Sequence, residues 1–164
     1  MKLFLIILFL IVLVSVPLFE QLAINKIRRG KKTPYLLNEN IKIHFETNKG
    51  MMMGLGKNKR KLVLSITTIL LILILSTTLY FILFTQGLIV LKLGLILLSG
   101  GAFSNALERY IYKYVVDYIS FPNFFIKKVR NIIFNVADIC IYIGALITIV
   151  GMLFIWARQI IYIQ

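Results

Sequence analysis

The hydrophobic residues of this chain come in four long blocks, an arrangement that excludes a water-soluble fold. Residues 3–19 (LFLIILFLIVLVSVPLF) carry no charge. At ~1.5 Å per residue such a helix reaches ~26 Å, close to the thickness of a bilayer's hydrocarbon core. Further apolar runs cover residues 62–84, 88–107 and 136–156. Charged residues make up 15% of the chain, against the ~25% usual for soluble domains. The expected fold class is therefore all-α transmembrane, a four-helix membrane bundle forming one integral membrane domain over 1–164. The first run also suits the apolar part of a cleaved signal peptide. It is long for that role, however, and no small-x-small cleavage site follows, so a retained first helix is expected.

The segments between the blocks differ in kind. Residues 20–61 are polar and strongly basic, and Ile41, Ile43 and Phe45 alternate there with Lys42, His44 and Glu46. That period of two marks a strand. Asn48-Lys49-Gly50, followed by Met51-Met52-Met53-Gly54, makes a turn sequence. A small β-structured element at the membrane surface is expected in this loop. Residues 110–133, rich in Tyr and Phe, read as a short interfacial segment. Small residues crowd the third block at Gly94, Ser99, Gly100, Gly101, Ala102 and Ser104. They allow close helix approach, so this helix should be central. Lys92 near its start should snorkel to the interface, and Trp156 and Tyr162 suit an interfacial belt.

Nineteen Lys and Arg against six Asp and Glu give a net charge of +13. The excess lies mostly between Lys26 and Lys61, beside apolar spans, so anionic membrane lipids are the expected partner and no nucleic acid is. No cofactor is indicated. Cys140 is the one cysteine, which permits no internal disulfide, and His44 the one histidine.

Only two aspartates occur, Asp117 and Asp138. One follows the third span within Val115-Val116-Asp117-Tyr118-Ile119 and the other opens the fourth within Asn135-Val136-Ala137-Asp138. The two ends of one loop lie at one membrane face, so both carboxylates are near that face. Carboxylates at membrane depth are costly and mark function. Two of them in a partly dry site can share one proton, so that one activates water while the other protonates a carbonyl oxygen. Helix-dipole stabilisation alone also accounts for Asp138. Asn105 and Arg109 stand four apart on the third helix. Arg109 could anchor a carboxylate or a lipid phosphate, or serve only as an interfacial anchor. Asn135 and Asp138 share a face of the fourth helix.

The run Gly100-Gly101-Ala102-Phe103-Ser104-Asn105-Ala106-Leu107-Glu108-Arg109 with Tyr114-Val115-Val116-Asp117-Tyr118-Ile119 closely resembles the third-helix signature of bacterial lipoprotein signal peptidases (signal peptidase II). Phe134-Asn135-Val136-Ala137-Asp138 resembles that family's fourth-helix signature, and Asn48-Lys49-Gly50 its Asn-x-Gly element in the first outer loop. Glu20-Gln21 followed by Lys26 is weakly similar to its Asp-Gln and Lys. The resemblance implies a catalytic dyad of Asp117 and Asp138, with Asn48, Gly50, Asn105, Arg109 and Asn135 lining the site or engaging substrate. It implies cleavage of lipid-modified prolipoprotein precursors before the diacylglyceryl-cysteine, in the bacterial cytoplasmic membrane, by a monomer. The site would lie near the extracytoplasmic face. Glu108 and Glu20 depart from the family, which usually has Asp at both places, and Met51-Met52-Met53 replaces its usual small and aromatic residues.

Charge distribution points the other way on orientation. Eleven basic residues in loop 20–61 and more in 110–133 favour the cytoplasm for both loops by the positive-inside bias. The resemblance requires them outside, because the substrate's cysteine lies on the outer side of its own signal helix. A non-enzymatic reading, holin-like or a transporter subunit with Asp117 and Asp138 in an ion or proton path, remains the alternative. No internal repeat or paired prolines support it.

Overall fold

The computed structural model describes residues 1–29, 35–38, 40–51, 56 and 58–163. Met52, Met53 and Gly54, within the expected turn sequence, lie outside the described residues. The elements run α1 (Lys2–Arg29), β1 (Tyr35–Asn38), β2 (Ile41–Asn48), α2 (Arg60–Phe84), α3 (Ile89–Ile111), β3 (Val115–Ser120), α4 (Lys127–Arg130) and α5 (Val136–Ile163). Four of them, α1, α2, α3 and α5, are long and apolar enough to cross a membrane. Leu3, Leu22, Ile72, Leu73, Leu146 and Phe154 all point outward, each more than half exposed. In water such a surface would aggregate, whereas in lipid it is solvated.

The third long helix is central, as its small residues predict. It packs against α1, α2 and α5, and 61% of its apolar stretch is buried, against 28% or less for the other three. The closest seam is with α5. A Cβ built on Gly94 would lie 2.5 Å from the Thr148 backbone nitrogen, and those built on Gly101 and Gly144 would run into Ala137 O and Leu98 N. Only glycine permits backbones this close. On the α2 side, Thr78 and Ser99 share a buried hydroxyl bond of 2.8 Å.

Two boundaries differ from the reading of hydropathy alone. The first helix continues ten residues past the apolar run, to Arg29 rather than residue 19. Its extension buries Ile24 against Val116 and Tyr118, with Ala23 and Ile27 packed alongside. Glu20 is buried there while Asn25, Lys26, Arg28 and Arg29 are exposed, so the helix continues past the apolar run and hydropathy stops short of its end. The third helix likewise ends at Ile111, not 107. Lys92 also departs from expectation. It is buried, and its Nζ donates to Thr85 O at 2.8 Å, while Lys2 Nζ donates to Leu83 O at 2.7 Å. Both ammonium groups thus satisfy carbonyls at the C-terminal end of α2, where no backbone donor remains.

The β-structured element is present as a three-stranded sheet, two strands more than the one alternating stretch marks. The sheet has order β1-β2-β3, antiparallel throughout. Its third strand comes from the second loop, where only an interfacial segment is expected from composition. The register pairs Asn48 with Val115, Thr47 with Val116 and Glu46 with Asp117, with an irregularity between Ile43 and Glu46. Within β3, Ile119 also forms an antiparallel bridge with Phe134. The Tyr118 and Ile119 amides both reach Phe134 O at 2.8 Å. This bridge fixes where the chain enters α5.

Candidate active site

Asp117 sits in β3, and Asp138 in the first turn of α5. Alternation along a strand sends the side chains of Asp117 and Tyr118 to opposite faces. Tyr118 goes back toward α1, joining the apolar cluster around Ile24. Asp117 lines a small polar cavity of about 50 Å³ together with Asn48, Asn105, Arg109, Asp138 and Tyr142. Ile132, Ile133 and Phe134 form part of its wall. That volume holds a water molecule with polar partners on several sides.

Two buried amides connect the carboxylates. Asn135 Nδ2 donates to Asp117 Oδ1 at 3.3 Å and to Asn105 Oδ1 at 3.0 Å. Asn105 Nδ2 donates in turn to Asp138 Oδ1 at 2.7 Å. From the first loop, Asn48 Nδ2 donates to Asp117 Oδ2 at 3.0 Å. The tight turn after β2 holds Asn48 in place, since Gly50 N donates to Asn48 Oδ1 at 2.9 Å. This is an Asx-type turn. Every residue the sequence singles out is therefore in one network: Asn48, Gly50, Asn105, Arg109, Asp117, Asn135 and Asp138.

Two of these residues make bonds that helical spacing alone does not foretell. Arg109 donates from Nη2 to Gly50 O at 3.0 Å and from Nη1 to Asn105 O at 3.1 Å. Its bonds thus tie the first loop to α3 and satisfy backbone carbonyls rather than a carboxylate. Its Nε is buried with no partner among the described residues. Asn135 precedes α5 and caps it, rather than standing on its face. Its Oδ1 accepts from Asp138 N at 2.7 Å, and Asp138 Oδ2 lies 3.5 Å from Asn135 N. That is a capping box built on Asn and Asp.

Three residues in the site's scaffold are not assigned by the sequence. Glu20, in α1, accepts from Tyr118 Oη at 2.7 Å and from the Ala137 amide. Glu108 accepts from Val116 N at 3.0 Å. Tyr118 Oη also accepts from Val136 N at 3.4 Å. The first three amides of α5, those of Val136, Ala137 and Asp138, thus end on Tyr118, Glu20 and Asn135. A helix start normally leaves such donors without intrahelical partners. The sequence signals are that Glu20 and Glu108 are acidic residues in a strongly basic chain, at the edges of apolar blocks, and that both fall within stretches resembling the family's motifs.

The Asn135→Ala variant should lose its cap and two further side-chain bonds together. Cap removal alone costs ~1 kcal/mol, and leaving buried partners unpaired adds ~1–3 kcal/mol. The expected result is a clear fall in thermal unfolding midpoint in detergent, with a fall in activity.

Burial and the neighbouring Asp138 carboxylate push the Asp117 carboxyl up to about 7, against the opposing bond from Asn48. A proton is therefore available on this pair near neutral pH.

An apolar four-helix bundle with two carboxylates facing one polar cavity at its end defines a multi-pass membrane protein equipped for acid–base chemistry. The profile of the family described as signal peptidase (SPase) II matches residues 4–154. The chain belongs to that family, and it is a multi-pass bacterial membrane protein. The chain is 32% identical over 103 residues to a lipoprotein signal peptidase of Clostridium tetani, a match spanning 63% of each protein. It is 28% identical over 150 residues to one from Halothermothrix orenii, covering 92% of this chain and 93% of that protein. Two solved structures described as a bacterial membrane enzyme, determined by the in meso method at 2.3 and 1.9 Å resolution, superpose with a TM-score of 0.72 each. They are 25% and 26% identical and cover 88% of this chain, and the match spans 87% and 92% of those chains. Family membership replaces the holin-like or transporter reading.

Proposed function

We propose that this chain is an aspartic endopeptidase that removes signal peptides from diacylglyceryl-modified prolipoproteins, with Asp117 and Asp138 as its catalytic dyad. The observation that carries the proposal is the connection of both carboxylates through Asn135 and Asn105 around one water-sized cavity. The family and the names of its relatives support the substrate class.

The pair holds one proton between its two carboxylates. The ionised member takes a proton from water as the water oxygen attacks the peptide carbonyl carbon. The protonated member gives its proton to the carbonyl oxygen, forming a neutral gem-diol. Collapse of the gem-diol breaks the C–N bond. The carboxyl that took the water proton passes it to the leaving nitrogen, which becomes the free amine of the lipidated cysteine. The other carboxylate takes a gem-diol hydroxyl proton, so the product acid forms and the pair again holds one proton. Asn48 and Asn135, donating to Asp117, and Asn105, donating to Asp138, hold the two carboxyls in orientation. Catalysis by the dyad alone calls for no cofactor. The site belongs on the extracytoplasmic side of the cytoplasmic membrane, where the cysteine of a signal-anchored precursor emerges. The basic first loop then meets anionic headgroups there. A monomer contains every group in this scheme.

The proposal fixes the pH dependence. Asp117 keeps its proton below about 7, so the alkaline limb of the rate reports loss of the pair's single proton. With a purified enzyme and a lipidated precursor, kcat/KM should fall about tenfold per pH unit on the alkaline side. A rate unchanged well above that pH would contradict a carboxyl acid.

A further inference from the structure

Glu20 and Glu108 are 1% and 4% exposed, and the proposed chemistry uses neither. A carboxylate buried in this way is expensive unless it is bonded, and the bonds of these two fall at particular places. Glu108, from α3, accepts the amide of Val116, the residue before Asp117. Glu20, from α1, accepts the hydroxyl of Tyr118, the residue after Asp117, and the amide of Ala137, the residue before Asp138. The neighbours of both aspartates are thus held from behind the site by carboxylates of two other helices.

We propose that Glu20 and Glu108 are positioning residues for the dyad, their carboxylates fixing the Val116 backbone before Asp117, the Tyr118 side chain after it and the Ala137 backbone before Asp138. Both stand where the family usually has Asp. Here the Glu side chains reach their partners from α1 and α3. Shortening either by one carbon withdraws its carboxylate by ~1.5 Å, further than a hydrogen bond of 2.7–3.0 Å tolerates. The inference rests on the peptidase reading for its kinetic consequence and on the structure for its geometric one.

The titratable and charged groups around Asp117 are Asp138 and Tyr142 from α5, Arg109 and Glu108 from α3, and Glu20 from α1. Glu20 adds to the upward push on Asp117. Removing its charge must therefore let Asp117 ionise more easily, which moves the alkaline limb to lower pH.

The test compares full-length wild type with Glu20→Asp, Glu108→Asp, Glu20→Gln and Asp117→Asn in detergent. Three quantities are read: kcat and KM on a lipidated precursor, thermal unfolding, and the carboxyl titration by isotope-edited infrared spectroscopy, which needs no substrate. At equal folded fraction the two Asp variants should lose about tenfold or more in kcat with KM little changed. Glu20→Gln keeps the reach, so it should retain more kcat than Glu20→Asp and shift the titration to lower pH. Wild-type kcat in both Asp variants would overturn the inference, as would losses that track unfolded protein alone or a Glu20→Gln titration that stays put. If wild type and Asp117→Asn are equally inactive on the precursor, the peptidase reading fails. Amide hydrogen exchange at Val116 and Ala137 then decides the positioning claim: faster exchange in Glu108→Asp and Glu20→Asp is expected, and unchanged exchange overturns it.

Discussion

Replacing Asp117 or Asp138 by asparagine is expected to abolish cleavage of a diacylglyceryl-modified precursor while leaving the protein folded. The substitution keeps the shape and one acceptor oxygen on each side chain. Asn105 Nδ2 can still donate at position 138, and Asn48 or Asn135 at position 117. What disappears is a group able to take or give a proton. Removing an acid or base of this type lowers rates on the order of 10²–10⁴-fold. Because the two act as one unit, the double variant should be little worse than either single one. The measurement is precursor cleavage at matched folded concentration, with unfolding followed in parallel. Retained cleavage in either folded variant would remove that residue from the dyad, and the shared-proton mechanism with it.

The largest effect on stability is expected at Gly101→Leu. A side chain there meets Ala137 O, Ile141 Cγ1 and Ile141 N, so two of the three nearest atoms belong to the backbone of α5. A flexible neighbour could turn away, but a helix backbone can only translate. Overpacking of this kind costs ~1–3 kcal/mol and sometimes more. Here it also displaces the residue before Asp138. The variant should therefore be poorly recovered, unfold at lower temperature and be inactive in whatever fraction folds. Gly87→Ala is the control. Gly87 has φ +63° with no heavy atom near its absent Cβ, so alanine costs only the left-handed backbone conformation, ~1–2 kcal/mol. Comparable stability in the two variants would show that the α3–α5 seam yields more readily than its geometry implies.

Much of the site is legible in the amino-acid sequence. Asp117 and Asp138 stand out because carboxylates are rare beside membrane spans. Asn105 and Arg109 follow from helical spacing, Asn135 from its place just before the fourth span, and Asn48-Lys49-Gly50 from turn chemistry. The fold joins Asn48, Gly50, Asn105, Arg109, Asp117, Asn135 and Asp138 in one hydrogen-bond network. Glu20, Glu108 and Tyr118 are not legible in the same way. The partners of Glu20 lie 98 and 117 residues away in sequence, and no local pattern encodes such distances. Strand β3 escapes a local reading for a related reason. Its Val115-Val116-Asp117-Tyr118-Ile119 is short and apolar, and it becomes a strand because β2 lies beside it.

The sequence by itself determined that this chain spans a membrane, how many times, and which helix is central. Those properties follow from local composition, namely apolar length against bilayer thickness and small residues along one helix. The tertiary structure alone decided how far α1 and α3 extend, that Lys92 is buried on the end of α2, and that two glutamates brace the aspartates. Each of these depends on what a polar group meets across the fold. In a low-dielectric interior a charge or amide is tolerated only where a partner waits, and that partner can come from any part of the chain.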